Sequence, residues 1–129
     1  MLPESAFVIS GDCQYRFANN GWSWFIEQYG NKITTKDISN ANNMFYGSSN
    51  ITEIPFDLNF DSSASYHNLQ YIFFSCNSLT QVHKLNNAKV YQTKSMFENC
   101  YRLRTIPEDI SDTWDWSYVE GQTSSYTGN

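Results

Sequence analysis

No stretch of this chain approaches the ~20 consecutive apolar residues that span a bilayer. The first ten residues lack a basic segment and hold too short an apolar run for a signal peptide, which points to a chain working without that export route or to a segment of something larger. Cysteine is scarce and odd in number: three residues cannot build a disulfide scaffold. No C-x-x-C or H-x-x-x-H spacing occurs, so no metal site is expected, and no cofactor motif stands out. Charged residues make up only 16% and the net charge is −5. Arg102 and Arg104 are outnumbered by nearby acids, so no patch exists to follow a phosphate backbone or an anionic membrane. Neither G-x-S-x-G nor another nucleophile motif is present, which argues against an enzyme. The low share of charge, with abundant Asn and Ser, disfavours a helical bundle and suits a turn-rich fold.

What the chain does have is aromatic bulk, 17% of its 129 residues, enough for one domain with one continuous core. It also has an internal repeat. The segments from Met44 to Pro55, from Ile72 to His83 and from Met96 to Pro107 align without gaps as [MI]-F-x-x-[CS]-x-x-[LI]-x-x-[IV]-[PH], at offsets of 28 and 24 residues. A unit of this size cannot bury its own apolar side, so copies must stack and turn equivalent residues into ladders. Three ladders are expected: Phe45, Phe73 and Phe97; Ile51, Leu79 and Leu103; Ile54, Val82 and Ile106. Ser48, Cys76 and Cys100 share a position that asks for small size. The L-x-x-[IV] stretch is expected to carry the strand, and the Met-Phe side a turn or short helix. Residues 60–66 read as a variable connection, and Asn86-Asn87 as a turn.

The ends depart from this pattern. Phe7-Val8-Ile9 and Tyr15-Arg16-Phe17 read as short strands around a Gly11-Asp12 turn. Trp22, Phe25, Ile26 and Tyr29 fall on one face of a short helix that Gly30 would stop. These elements predict an N-terminal cap over 1–36, about three repeats over 37–110, and a C-terminal cap strand and tail over 111–129, all in one domain. In the tail, Trp114, Trp116 and Tyr118 alternate with Asp115 and Ser117, so the aromatics share one strand face.

The run from Ser39 to Ile51, with Met44-Phe45 and Ser48, and the run from Ser95 to Leu103, with Met96-Phe97 and Cys100, resemble the BspA-like leucine-rich-repeat family, whose pattern is S-N-V-x-x-M-F-x-x-C-x-x-L. The resemblance covers about residues 37–110. It departs at Ser48 for Cys, His83 for Pro and Ile72 for Met. It implies a short leucine-rich-repeat solenoid, an α+β repeat fold with short strands, of the kind found in bacterial surface proteins that serve adhesion and protein contact. Similar repeats also resemble those of gut-phage structural proteins. The family has no catalytic residues to transfer and says nothing about either end of the chain.

Each chemistry candidate has a plain structural reading beside it. Cys76 and Cys100 read as buried thiols of one ladder, or as a disulfide between adjacent turns. Cys13 has no evident partner. His67 and His83 would serve an enzyme only through an unexpected cleft shared with acids. Asn50-Ile51-Thr52 is formally a glycosylation acceptor, but Ile51 is a core position. Trp114, Trp116 and Tyr118 either stack on sugars, or seal the end of the repeats or an oligomer contact. The function expected is a non-catalytic module that binds a protein or a surface glycan at a bacterial cell surface, outside the cell, or on a virion. The alternative is a structural component of a phage virion or tail, as a homo-oligomer or part of a larger assembly.

Overall fold

A computed structural model of the chain describes residues 7–92 and 94–104. Its elements are β1 (Phe7–Asp12), α1 (Ser23–Tyr29), β2 (Ile33–Asn40), β3 (Glu53–Ile54), β4 (Leu58–Asn59), β5 (His67–Asn68), β6 (Gln81–Val82), β7 (Leu85–Asn86) and β8 (Val90–Gln92). Every strand pair among the described residues is parallel: β1 with β2, β3 with β6, β4 with β7, and β5 with β8. Glu53 faces Gln81 and Ile54 faces Val82, the same 28-residue offset that the sequence repeat has. After the insertion at 60–66 the offset shortens, with His67 opposite Val90 and Asn68 opposite Gln92.

Four stretches, 13–20, 41–48, 69–76 and 94–100, lie on one another in register. Phe17 N–H donates to the Met44 carbonyl (2.8 Å), Phe45 N–H to that of Ile72 (2.9 Å) and Phe73 N–H to that of Met96 (3.1 Å). The flanking bonds repeat two residues later: Asn19 to Tyr46, Gly47 to Phe74 and Ser75 to Glu98. Two equivalent backbone positions in every copy adopt the left-handed conformation, and Asn20 (φ 62°) adds a third in the first. Tyr15, Asn43, Tyr71 and Ser95 have φ of 56°, 60°, 57° and 52°; Asn19, Gly47, Ser75 and Asn99 have 57°, 70°, 59° and 65°. The turn is therefore one conformation made four times, although its residues share little sequence.

The core follows from that stacking. Strands neighbouring in a ladder sit ~4.8 Å apart, which brings one ring per copy nearly onto the next. Phe17, Phe45, Phe73 and Phe97 form a single column with centroids 5.3, 5.6 and 5.6 Å apart and planes within 22°, 18° and 8°. Parallel rings at that separation are offset, the favourable arrangement for aromatic quadrupoles. Ile51, Leu79 and Leu103 are buried, as are Ile54 and Val82; Ile106 lies outside the described residues.

The Met-Phe side consists of turns rather than a helix in each copy. Residues 15–17 also differ from the sequence expectation. They form turn, not strand, because Phe17 belongs to the ring column and the backbone must take the shape of the copy beneath it. Part of the region read as cap thus stacks as a further copy. Gly11 and Asp12 continue β1 instead of turning, and Gly11 (φ 76°) lies where the register with β2 shifts. Helix α1 closes the end: Trp22 meets Phe17 edge-on at 6.4 Å and Phe25 at 5.2 Å, and Ile26 is buried. Gly30 follows the helix with ordinary right-handed angles (φ −57°). Its smallness serves packing instead, since a Cβ there would lie 2.6 Å from Pro55 Cγ.

Candidate functional site

Ser48, Cys76, Cys100 and the two histidines are engaged by neighbouring protein groups. Ser48, Cys76 and Cys100 do more than fit a small space. Each donates to the carbonyl of the ring-column residue one copy earlier: Ser48 Oγ to Phe17, Cys76 Sγ to Phe45 (3.1 Å) and Cys100 Sγ to Phe73 (3.0 Å). Neither Cys76 nor Cys100 is in a disulfide, and Cys13 is likewise a free buried thiol. Burial pushes the Cys76 thiol well up and the Cys100 thiol up to about 12, so neither offers a thiolate near neutrality.

His67 is fully buried, and burial holds its pKa below the usual imidazole range. Its Nδ1 accepts from Lys89 N–H (2.9 Å) and its Nε2 lies 3.0 Å from the Asp61 carbonyl, which only an Nε2–H tautomer satisfies. The ring thus pins the 61–66 connection, where Lys89 Nζ also bonds the Ser62 and Ala64 carbonyls. His83 stands between two acids on opposite edges of its ring, with Nε2 3.6 Å from Glu53 and Nδ1 3.8 Å from Asp57. Opposed contacts of this kind do not converge on a shared ligand. Among the described residues no cluster of three or more His, Cys, Asp or Glu is arranged to hold a metal ion.

The outer surface of the copies carries a different feature. Tyr15 and Tyr46 meet edge-on at 6.5 Å, Tyr46 and Tyr71 at 6.3 Å, and Tyr71 and Phe74 at 5.6 Å, while Tyr46 and Phe74 stack at 5.0 Å. These four rings form an unbroken stripe along the first three copies. Tyr15 is 56% exposed and the others are half-buried. Beside it, Gln14 and Asn42 occupy equivalent positions, and the Asn42 amide reaches the Gln14 side-chain oxygen at 3.5 Å. Both are set by the same turn, in which the preceding acid or amide accepts the backbone N–H: Asp12 from Gln14, Asn40 from Asn42, and Asn68 from Gln70.

Two stripe residues sit where the backbone disfavours them. A left-handed residue costs an L-amino acid ~1–2 kcal/mol, least for Asn or Gly, and for a bulky side chain it is an outlier. The second and fourth copies use Asn43 and Ser95 at the position that holds Tyr15 and Tyr71 in the others. Folding alone therefore does not demand tyrosine. At Tyr15, which is exposed, core packing does not account for keeping tyrosine on that backbone.

The ladder residues named from sequence that are described, all but Ile106, lie inside and support this surface without reaching it. Trp114, Trp116 and Tyr118 lie outside the described residues. The stripe itself was missed because Tyr46 and Phe74 fill a variable position of the repeat consensus. The signal available was their shared 28-residue offset, immediately after a ladder phenylalanine. No helix among the described residues is long and apolar enough to cross a membrane. No protein-family model, curated protein or solved structure matches the chain.

Proposed function

We propose that this chain is a non-catalytic interaction module, a short leucine-rich-type solenoid of the BspA-like kind, that binds a protein or glycan at a cell surface or on a virion. The observation that carries the reading is the aromatic stripe of exposed Tyr15 and half-buried Tyr46, Tyr71 and Phe74, with tyrosine kept at two left-handed positions. Exposed aromatics grouped on a rigid scaffold mark interaction sites, because they offer large contact area with little side-chain entropy to lose. The non-catalytic part is supported by what the reactive groups do: His67 spends both ring nitrogens on backbone groups, and Cys76 and Cys100 donate to buried carbonyls.

The test is binding of the labelled chain to intact bacterial cells, epithelial cells and mucin-coated plates, with light scattering to define its oligomeric state. Saturable binding by the wild type, weakened at least tenfold in Tyr15→Asn/Tyr71→Asn, is the expected result. A monomer that binds none of these surfaces overturns the reading. A defined oligomer in which the stripe is protected from solvent would replace it with the assembly role.

A further inference from the structure

We infer that the outer edge of the first copy docks an extended segment of another polypeptide, in which an acidic residue precedes an aromatic one. This edge is a second surface, and the inference does not rest on the aromatic stripe. The stack itself shows what such an edge binds. In the second copy the carbonyls of Asn40, Asn42, Met44 and Tyr46 accept the N–H groups of Cys13, Tyr15, Phe17 and Asn19 in the copy before. The third copy repeats the row at Gln70, Ile72 and Phe74. The counterparts in the first copy are the carbonyls of Asp12, Gln14, Arg16 and Ala18. Among the described residues no copy precedes them, and β1 is paired only with β2. Of the four, the Ala18 carbonyl takes a local donor, the Gly21 N–H (3.1 Å). Carbonyls spaced two residues apart in this way match alternate N–H groups of an incoming chain, as in strand addition.

Side chains at the same end narrow the occupant. Helix α1 leaves a hollow of about 160 Å³ lined by Phe7, Ile9, Phe17, Trp22, Phe25 and Ile33, with Arg16 the one charged residue of the lining. An apolar cavity of ~150 Å³ takes up benzene, so this one has room for one aromatic side chain. Arg16 stands at the position that holds buried Met44, Ile72 and Met96 in the other copies. It is exposed, and among the described residues no carboxylate pairs with it. Asp12 is engaged by the Gln14 amide (3.1 Å), and Glu27 of α1 lines a different cavity, beside Asn50 and Glu53. An incoming acid is the complement that Arg16 lacks.

The register of the stack puts these features in order. A residue aligned with Phe17 would donate to the Arg16 carbonyl, as Phe17 does to that of Met44, and carries the ring. The residue before it lies opposite Arg16 and is Asp or Glu. The one before that takes the left-handed place of Tyr15 and Asn43, which suits Asn or Gly.

The probe is a synthetic peptide of residues 38–50 with Met44→Glu, which sets an acid between Asn43 and Phe45. It is titrated to millimolar concentration into the isotope-labelled full chain and followed by NMR. Saturable shift changes confined to the first copy and α1 are expected. Affinity should fall at least tenfold with Met44→Lys or Phe45→Ala in the peptide, with an N-methyl group on the peptide's Phe45 nitrogen, and with Arg16→Glu in the protein. Tyr101→Ser, an exposed aromatic in the fourth copy, should bind as wild type. The inference is overturned if the peptide does not bind at this end or if Met44→Lys in the peptide binds as tightly as Met44→Glu. It is equally overturned if N-methylation has no effect, or if the Arg16→Glu protein binds like wild type. A dimer by light scattering that the peptide cannot dissociate, with its contacts at this end, assigns the edge to a second copy and also overturns it. The two readings fail separately: peptide binding without any cell-surface binding sinks the stripe alone, and stripe-dependent surface binding without peptide binding sinks this inference alone.

Discussion

Replacing Ser48 by alanine separates two accounts of the position it shares with Cys76 and Cys100. If the site asks only for small size, alanine satisfies it, and removing a polar group from a fully buried place is neutral or stabilising. If the site asks for a donor, alanine takes the Ser48 Oγ hydrogen bond away from the buried Phe17 carbonyl. The Asn20 N–H, which reaches Ser48 Oγ at 3.2 Å, also loses its acceptor, but Asn20 is partly open and water can replace it. A buried acceptor left unmade costs ~1–3 kcal/mol, and a carbonyl tolerates this better than an N–H, so about 1–2 kcal/mol is expected. For a domain of this length that corresponds to a fall in melting temperature of about 3–10 °C. Ser48→Cys restores the donor and should stay within about 0.5 kcal/mol of wild type, since the next two copies already use cysteine there. The assay is thermal melting by circular dichroism, backed by urea titration to check that the m-value is unchanged. A Ser48→Ala protein that melts at or above the wild-type temperature refutes the donor account and returns the position to size alone.

Phe73→Ala removes a ring that stacks on both sides, against Phe45 and Phe97, and should destabilise by ~3–5 kcal/mol in the same melts; a loss below 1 kcal/mol would mean that the column contributes little. Gly30→Ala should cost ~1–3 kcal/mol from the clash with the Pro55 ring, and Pro55→Ala in the same chain should recover most of it. Because burial lowers the pKa of His67 below its unfolded value of 6.5, the unfolded chain binds the extra proton first; stability from this group is complete above pH 6.5 and declines as pH falls below it. Melting temperatures from pH 7.5 down to 5 should show that decline and lose it in His67→Gln. The Asp61 carboxylate, held low by its Ser63 hydrogen bonds, acts only below its ordinary 3.8 and does not confuse the window. Cys76 and Cys100 should resist iodoacetamide at pH 8 in the native protein and react fully in 6 M guanidinium, by mass spectrometry; native labelling at the free-thiol rate would contradict their burial.

How much of this was legible in the sequence depended on which way a side chain faces. Phe45, Phe73 and Phe97 were readable because an inward position in a stack admits few residue types. Phe17 precedes Phe45 by the same 28 residues, yet it was hidden: Arg16 stands where the other copies have Met or Ile, and Asn20 where they have Ser or Cys. Those changes follow from its place at the end of the column. Among the described residues no copy precedes that of Asn20, and its amide donates to Ser49 Oγ and accepts the Asn50 N–H. The first left-handed position was not readable, since Tyr, Asn, Tyr and Ser there share no propensity for that conformation, whereas Asn19, Gly47 and Asn99 at the second are types that favour it. Hydrogen bonds from the neighbouring copy impose it, and such bonds exist only once the copies have stacked. Gly30 was placed correctly beside the helix for a different physical reason, its approach to Pro55 rather than a left-handed stop.

The same division explains how a strained residue can persist at Tyr71. Its backbone is held on both sides, by its own N–H to the Lys94 carbonyl and by the bonds that Asn43 and Phe45 send to the adjoining Gln70 and Ile72 carbonyls. The local conformation is over-determined, so the side chain there contributes little to deciding the fold. Its contacts run along the surface to Tyr46 and Phe74, not into the ring column. Inward substitutions in this architecture therefore register chiefly as stability, and outward ones chiefly as affinity. Tyr71→Asn is the sharpest case. It relaxes a left-handed cost of ~1 kcal/mol while giving up edge-on ring contacts of ~0.5–1.5 kcal/mol, so its melting temperature should stay near wild type. A large loss of stability in that variant would mean that the stripe belongs to the fold, and the separation between scaffold and surface would have to be abandoned.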